Sequence, residues 1–352
     1  MTIGRRLILF ISICLVFAIG CQAQTGRKGI AAGWADSGYT HSQLDTIMKD
    51  FNNLGAVWLR IDFDWSQIQP NNATSYETAP YDAEVQAAAA YGIQILGIID
   101  YCPPWANGQS VNTPGYQFYP PKSARTYAAF ASYLARRYAP MGVHTWEIWN
   151  EPNGGFFWMP SANPSGYTRL LKAAYTSIKK VDPTATVITG GLAPACNCSP
   201  SLTPMTFLAD IYKDGAEPYL DGVGNHPYTY PALPSATDGS AYWWTQMYTG
   251  ADNLRSIMTQ HGDSNKKIWM TEYGAPTNGG SSNGAVTEAV QAKMITIAYR
   301  LQATYSWAGP LFWYTYQDGG TDKTNIEDWF GLIKYGGTHK PSHAAYKAVP
   351  VN

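Results

Sequence analysis

Short apolar runs alternate along the chain with segments in which apolar residues recur every three or four positions, the spacing of one helix face. After His41, for example, this spacing holds for Leu44, Ile47, Met48 and Phe51. The apolar runs predict strands at Gly29–Trp34, Ala56–Asp62, Ile93–Asp100, Val143–Asn150, Thr186–Gly190, Leu220–Asn225, Lys267–Thr271 and Pro310–Tyr314. The periodic segments predict helices at His41–Leu54, Ala83–Ala90, Ala124–Tyr138, Gly166–Val181, Met205–Tyr212, Asp252–His261, Val286–Gln302 and Ser342–Ala348. Strands that alternate with helices in this way predict a single-domain α/β fold, the closed (β/α)8 TIM barrel.

Long connections follow several of these strands on one side of the predicted barrel. They span residues 64–80, 101–122, 154–163, 228–242 and 315–338. Long loops at the C-terminal ends of barrel strands build a cleft. The aromatic residues that they carry or adjoin are Trp65, Trp105, Phe156, Phe157, Trp158, Trp243, Trp244 and Trp329. Loop packing explains each one separately, but together they predict sugar-binding subsites, with Trp105 and Trp158 as candidates.

Two of the predicted strands deliver a glutamate to their C-terminal end. One strand stops at Asn150 and Glu151, before the strand-breaking Pro152, and another leads directly into Glu272. The C-terminal ends of barrel strands are where such enzymes keep their chemistry. Hydrolysis of a glycosidic bond needs one carboxylic acid to protonate the leaving oxygen and one carboxylate to attack or to activate water. The two glutamates, Glu151 and Glu272, therefore predict one active site. Glu147, on the same strand face as Glu151 but deeper, is explained instead as a buried structural partner of an arginine.

Composition agrees with a neutral binding partner. The chain of 352 residues has 24 basic and 25 acidic side chains without obvious segregation, which gives a formal net charge of -1. This balance provides no electrostatic footprint for nucleic acid. Aromatic residues make up 14% of the chain, as many as all charged residues together. Aromatic faces stack on the apolar faces of sugars, so we expect a carbohydrate partner. We expect the protein to be a monomer.

The N-terminus has the three parts of a signal peptide. Arg5 and Arg6 precede the apolar run Leu7–Ile19, which is too short to span a membrane. Residues 1–23 are therefore predicted to direct export, with the catalytic domain at residues 24–352. Two processing routes fit the segment that follows the apolar run: lipid attachment at Cys21, or cleavage after Ala23.

Three cysteines remain beyond the signal segment. Cys196 and Cys198 are separated by one residue, and Cys102 is distant in the sequence. A local disulfide and a disulfide to Cys102 both fit an oxidising compartment. No clustered set of histidine and aspartate ligands is visible, and two carboxylates suffice for glycoside hydrolysis, so we expect neither a metal nor an organic cofactor.

The two glutamate motifs resemble those of glycoside hydrolase clan A, the retaining (β/α)8 enzymes. Trp149-Asn150-Glu151-Pro152 is similar to the Asn-Glu-Pro signature of the clan, and Trp269-Met270-Thr271-Glu272-Tyr273-Gly274 is similar to its nucleophile strand. The resemblance covers essentially the whole mature chain. It implies that Glu151 is the acid/base, that Glu272 is the nucleophile, and that Asn150 binds the 2-hydroxyl of the sugar.

Further positions match the pattern of the clan. The resemblance implies that Arg60 lies beside the nucleophile and that His226 and Tyr228 form the His-x-Tyr pair that touches nucleophile and substrate. It also implies that Trp313 is the aromatic floor of the catalytic subsite. A barrel salt bridge, a capped loop and core packing are the structural explanations for Arg60, His226 and Trp313, taken singly.

The third predicted strand departs from the pattern. Family 5 cellulases usually carry a histidine there, whereas this chain has Asp100 and Tyr101, of which Asp100 is a candidate for substrate binding. Family 39-like enzymes of the clan fit equally well. The leading hypothesis is an exported, retaining glycosidase of a polysaccharide or oligosaccharide. A transglycosylase and a non-catalytic carbohydrate-binding barrel are the alternatives.

Overall fold

The structure is a computed structural model that describes residues 26–32, 38–280 and 283–351. The predicted signal segment, with Cys21, and the last two residues of the first predicted strand, Gly33 and Trp34, lie outside the described residues.

Eight parallel strands close a barrel in chain order. They are β1 (Lys28–Ala31), β2 (Trp58–Asp64), β3 (Gln94–Asp100), β4 (Thr145–Ile148), β5 (Thr186–Thr189), β6 (Gly222–Asn225), β7 (Lys267–Tyr273) and β8 (Ala308–Tyr314). The barrel closes where β8 pairs in parallel with β1. The predicted (β/α)8 barrel is confirmed.

The helices are α1 (His41–Asn53), α2 (Trp65–Ile68), α3 (Ala79–Ala90), α4 (Pro104–Asn107), α5 (Ala124–Tyr138), α6 (Pro164–Val181), α7 (Pro204–Lys213), α8 (Tyr242–Thr245), α9 (Leu254–Gln260), α10 (Glu288–Thr304) and α11 (Pro341–Ala348). Most follow the predicted segments closely. Helix α3 begins at Ala79 rather than Ala83, and α2 and α4 are short helices inside segments that were predicted as loops. The short helix α8 begins at Tyr242, the last residue of another predicted loop. Among the described residues, no helix has the length and apolar character needed to cross a membrane.

Local sequence explains where the outer helices begin. Helix α6 follows Asn163, whose side-chain oxygen accepts a hydrogen bond from the Gly166 backbone N–H, and Pro164 occupies the first turn. Helix α1 begins with a capping box between Thr40 and Gln43. Each helix then buries one face, and α6 buries Tyr167, Thr168, Leu170, Leu171, Ala174 and Ile178. These faces form the thick core between the helices and the outside of the barrel.

A smaller core fills the barrel itself. It consists of Ala31, Leu96, Ile188, Trp269 and Phe312, with Trp58 and Tyr314 packed against it. Successive residues of a strand point to opposite faces, so on β2 the side chains of Arg60, Asp62 and Asp64 share the inward face with Trp58. The barrel interior therefore changes from apolar to charged toward the C-terminal ends of the strands.

Candidate active site

Glu151 is placed by an irregular backbone at the end of β4. Trp149 and Glu151 have φ angles of 68° and 44°, in the left-handed region that residues with a side chain rarely adopt. The Glu151 N–H donates to the Gly191 carbonyl at 3.1 Å, and the Trp149 N–H donates to the Ile99 carbonyl at 3.0 Å. Strained backbone of this kind persists where the surrounding structure fixes it, most often at functional sites. The two neighbouring strands thus hold the turn that presents Glu151 to the cleft.

Glu272 lies near the end of β7 and accepts hydrogen bonds on both carboxylate oxygens. The Arg60 Nη1 group donates to Oε1 at 2.7 Å, and the Tyr228 hydroxyl donates to Oε2 at 2.8 Å. Burial acts to raise the pKa of Glu272, but the positive charges of His226 and Arg60 and these hydrogen bonds outweigh it, so the pKa is lowered. Glu272 is therefore held in the ionised form.

Arg60 connects the charged groups beneath the cleft. Its guanidinium donates to Glu147 at 2.6 and 3.2 Å, to Glu272 at 2.7 Å and to the Asn150 side-chain oxygen at 3.0 Å. Glu147 is fully buried and also accepts from the Gly191 N–H at 2.7 Å. Glu147 is thus the buried partner of an arginine, as the sequence indicated. With its donors engaged, Arg60 has a fixed orientation beside Glu272.

His226 bridges the two glutamates. Its Nδ1 atom lies 2.9 Å from Glu151 Oε1 and 3.5 Å from Glu272 Oε2. One oxygen of each glutamate and a ring nitrogen of His226 all lie within 4.8 Å of one another. Burial acts to lower the pKa of His226, but the charge of Glu272 and the contact with Glu151 raise it above its usual value.

Gly191 makes room for this histidine. A Cβ atom at position 191 would lie 2.1 Å from His226 Nε2, too close for any residue with a side chain. The glycine that follows β5 is therefore required by the close approach of the His226 ring.

A cleft of about 900 Å³ opens above these residues. Arg60, Asn150, Glu151, Tyr228 and Glu272 all line it, so the structure brings together five of the residues named from the sequence. Fully buried His226 touches the glutamates from below. The aromatic residues that line the cleft are Tyr101, Phe156, Phe157, Tyr228, Tyr230, Tyr314 and Phe330. The cleft wall is thus rich in tyrosine and phenylalanine rather than in tryptophan.

Trp313 does not form the floor of the cleft. It is fully buried and packs in the outer core, with its ring 6.0 Å from that of Tyr273 in an edge contact. Along β8, Phe312 and Tyr314 face the barrel interior, so alternation directs Trp313 outward to the helices. Tyr314 is the β8 aromatic residue that lines the cleft, which corrects the prediction by one position.

Trp105 and Trp158 also lie outside the cleft lining. The Trp105 ring N–H donates to the Gln69 carbonyl at 2.7 Å, and the ring packs edge-on against Trp65. Trp158 is 3% exposed and packs against Trp149. Both rings therefore pack within the loops rather than line the cleft, because large apolar rings in long loops also stabilise the loops themselves.

Asp100 is fully buried below the cleft rather than in its wall. Neither carboxyl oxygen accepts a hydrogen bond from any residue that the structure describes. Burial, together with the nearby charges of Asp62 and Asp64, raises the pKa of Asp100 well above its usual value. Asp100, the residue predicted to bind substrate, therefore does not line the cleft, whereas the neighbouring Tyr101 does.

Two acidic residues of the cleft, Asp62 and Glu327, were missed from the sequence. Asp62 lies two positions after Arg60 on the same strand face, a spacing that could have revealed it. Burial raises the pKa of Asp62 to about 7, although Arg60 opposes the shift. Glu327 accepts from the Tyr314 hydroxyl at 3.2 Å, and burial raises its pKa. Glu327 comes from the loop after β8, where no local pattern marks it.

The cysteine pairing left open by the sequence is local. Cys196 and Cys198 form a disulfide in the loop after β5, at the edge of the cleft. Cys102 is buried and forms no disulfide with any cysteine in the part of the chain that the structure describes.

A family model described as Cellulase (glycosyl hydrolase family 5) matches residues 21–315. The chain belongs to this family. This agrees with the clan A resemblance of its two glutamate motifs.

Among curated proteins, a beta-xylosidase of Geobacillus stearothermophilus is 27% identical over 228 residues, which cover 62% of this chain and 44% of the relative. The chain thus spans less than half of the length of that relative. Among solved structures, a family 39 glycoside hydrolase of Bacteroides cellulosilyticus WH2 has 24% identity and a TM-score of 0.73, covering 92% of this chain and 63% of the other. A GH5_18 protein of Bifidobacterium longum subsp. infantis has 15% identity and a TM-score of 0.63, covering 92% and 78%. At these identities the structural similarities concern the fold.

Proposed function

We propose that this family 5 chain is a retaining glycoside hydrolase that cleaves O-glycosidic bonds of a neutral polysaccharide or oligosaccharide. The observation that carries the proposal is the spacing of Glu151 and Glu272, whose nearest oxygens lie within 4.8 Å at the C-terminal end of the barrel. Carboxyl groups about 5–5.5 Å apart suit a covalent intermediate, whereas inverting enzymes need roughly 6.5–9.5 Å to admit a water molecule.

The environments of the two glutamates support different roles. Glu272, ionised and held by Arg60 and Tyr228, attacks the anomeric carbon while the bond to the leaving oxygen breaks. Glu151 gives its proton to that oxygen, so the leaving sugar departs as an alcohol. Glu151 then takes a proton from water, which attacks the glycosyl ester and releases Glu272 as a carboxylate. Two inversions at the same carbon retain the configuration.

Asn150 is the proposed partner of the sugar 2-hydroxyl. Its side-chain oxygen is occupied by Arg60 at 3.0 Å, which leaves the amide N–H₂ group as the donor at the cleft. A bond to the 2-hydroxyl that strengthens in the transition state contributes directly to the rate.

The charge of the cleft and the curated relative together support the substrate class. Among the described residues that line the cleft, Arg60 is the only cation, and it is already paired with Glu147 and Glu272. The other charged lining residues are carboxylic acids: Asp62, Glu151, Glu272 and Glu327. Such a cleft repels anionic sugars, and because the relative is a beta-xylosidase, β-xylosides are the first neutral substrates to test.

Export is a separate part of the proposal. It rests on Arg5, Arg6 and the apolar run Leu7–Ile19. N-terminal sequencing of the mature protein and mass analysis of Cys21 distinguish cleavage after Ala23, lipid attachment at Cys21 and an uncleaved chain.

A panel of 4-nitrophenyl β-glycosides and neutral oligosaccharides, including xylobiose and cellobiose, tests the function. We expect release of reducing ends, and the first-formed sugar observed by NMR should keep the β configuration. Release of the α anomer would overturn the retaining mechanism. Absence of turnover together with oligosaccharide binding would favour a carbohydrate-binding barrel, and products longer than the substrate would favour a transglycosylase.

Azide rescue tests the two roles separately. In Glu272→Ala, azide should enter the space left by the nucleophile and convert an activated β-glycoside into the α-glycosyl azide. In Glu151→Ala, azide should attack the covalent intermediate and give the β-glycosyl azide. Exchange of the two products between the variants would reverse the assignments.

A further inference from the structure

Phe156 is exposed in a way that core packing does not explain. Its side chain is 74% exposed, yet it lines the cleft in the segment directly after Glu151. The Gly154 N–H donates to the Glu151 carbonyl at 2.8 Å, so this segment turns back immediately beside the proposed acid/base. An apolar ring presented to a cleft can be covered by a ligand with an apolar face.

A second segment, residues 193–201, lies against this one and also lines the cleft. Fully buried Asn153 fastens the two together: its amide nitrogen donates to the carbonyls of Ala193 and Leu202, both at 2.9 Å, and its oxygen accepts from the Ala193 N–H at 2.7 Å. The Gly155 N–H donates to the Ser201 hydroxyl at 3.1 Å. We call residues 154–157 and 193–201 together the β4–β5 wall.

The β4–β5 wall is tightly packed and closed by a covalent bond. A Cβ atom on Gly155 would lie 2.4 Å from the Pro200 Cβ, so only glycine permits the two segments to approach this closely. The Cys196–Cys198 disulfide closes the exposed tip of the second segment at the cleft. The wall is therefore preorganised beside Phe156, which reduces the entropy lost when a ligand binds.

The position of the wall relative to the two glutamates defines what it contacts. Arg60 and Tyr228 surround Glu272, on the side where the anomeric carbon is attacked. The wall begins beside Glu151, which protonates the oxygen that leaves. A group attached to that oxygen therefore lies on the Glu151 side of the cleft, and Phe156 lines the cleft in the segment that follows Glu151.

We propose that the β4–β5 wall is the binding site for the leaving group, and that Phe156 stacks on the apolar face of the leaving sugar. This inference rests on the proposed glycosidase function and adds a determinant of leaving-group specificity to it. Phe156 contributes to turnover only when the leaving group is large enough to reach the ring.

Paired substrates test the wall. The sugar used is the one whose 4-nitrophenyl β-glycoside is turned over fastest in the panel. Three substrates carry this sugar: the 4-nitrophenyl β-glycoside, the β-linked disaccharide and the β-glycosyl fluoride. The leaving group of the fluoride is a single atom. In Phe156→Ala, kcat/KM should fall roughly tenfold for the first two substrates and stay unchanged for the fluoride. Phe156→Trp should restore the loss, and Tyr335→Ala, which removes a ring that is 62% exposed outside the cleft, should change none of the three.

Equal losses on all three substrates, or no loss on any of them, would overturn the proposal while leaving the glycosidase function intact. If wild type turns over no substrate, the glycosidase function fails. The wall is then tested by calorimetric titration of wild type and Phe156→Ala with xylotetraose and cellotetraose. If Phe156 stacks on sugars, Phe156→Ala should bind these oligosaccharides roughly tenfold more weakly than wild type. An affinity unchanged from wild type would overturn the proposal.

The disulfide provides an independent arm. The double variant Cys196→Ser, Cys198→Ser loosens the second segment of the wall, so kcat/KM should fall for the 4-nitrophenyl glycoside and the disaccharide but not for the fluoride. Wild type treated with dithiothreitol should match it, whereas the double variant should be insensitive to dithiothreitol. An unchanged disaccharide rate in the double variant would restrict the wall to residues 154–157 and overturn the part assigned to residues 193–201.

Discussion

The two ends of the barrel interior are built from different side chains. The lower interior contains Trp269 and Phe312, with Trp58 packed against them, and the rings meet in edge contacts at 5.3 and 6.5 Å. The upper interior contains Arg60, Glu147, Glu272 and Asp62, with Arg60 hydrogen-bonded to both glutamates. The lower end gains stability by excluding water from apolar surface. The upper end keeps charges in a buried setting, which costs stability but fixes their protonation states.

The largest expected effect is on activity at the upper end. Glu272→Ala should lower kcat/KM by roughly ten-thousandfold or more, on the scale seen when a catalytic nucleophile is removed. Its thermal stability should remain close to wild type, because Arg60 keeps its two hydrogen bonds to Glu147. Steady-state kinetics and thermal unfolding measure the two quantities. A variant that unfolds at a much lower temperature would show that Glu272 also supports the fold.

At the lower end the balance should be reversed. Trp269→Ala removes a ring from the inner core and should reduce the free energy of unfolding by about 3–5 kcal/mol, with kcat/KM per folded molecule nearly unchanged. Denaturant titration measures the change. Trp243→Ala, at a half-buried position on α8, is the matched control and should cost less. A large loss of activity in folded Trp269→Ala would mean that the two ends are coupled.

A smaller effect separates the roles of the hydrogen bonds around Glu272. Tyr228→Phe removes the hydroxyl that donates to Glu272 at 2.8 Å, a bond that favours the ionised carboxylate. The pKa of Glu272 should rise. As the pH is lowered, Glu272 is therefore protonated at a higher pH than in wild type. The acidic limb of the kcat/KM profile should move upward by about half to one pH unit, with about a tenfold loss at the optimum. An unmoved limb would indicate that another group controls it.

The smallest expected effect concerns Asp62, one of the carboxylic acids that line the cleft. Burial raises its pKa to about 7 in the folded protein, so Asp62 binds a proton more tightly when folded than when unfolded. Below the pKa that Asp62 has in the unfolded chain, its ionisation does not reduce the free energy of unfolding. As the pH rises from that value toward about 7, ionisation reduces the free energy of unfolding by an increasing amount. Asp62→Asn should raise the unfolding temperature by about 2 °C or more at pH 8 and leave it unchanged near pH 4. Asp252→Asn, at an exposed position, is the control, and equal shifts at both pH values would contradict the assignment.

The alternation of predicted strands and helices sufficed to predict the barrel. The polar pair before Pro152 indicated the C-terminal end of the strands as the end that carries the cleft. These are local properties, because residue spacing and strand-breaking residues act over a few positions of the chain. The pairing of Cys196 with Cys198 was left open by the same reasoning, since proximity in sequence does not establish which thiols meet.

The inward direction of individual side chains was decided by tertiary structure. Simple alternation from Trp269, which faces the barrel interior, would direct Glu272 outward, but the register between β7 and β8 shifts between Met270 and Tyr273. Glu272 turns inward at this irregularity, while Trp313, opposite Tyr273, turns outward. At the end of β4, the left-handed backbone of Glu151 depends on hydrogen bonds with a neighbouring strand end. Sequence determined which residues reach the C-terminal end of the barrel, and pairing between neighbouring strands decided which of them face the cleft, because a one-residue change in register exchanges the two faces of a strand.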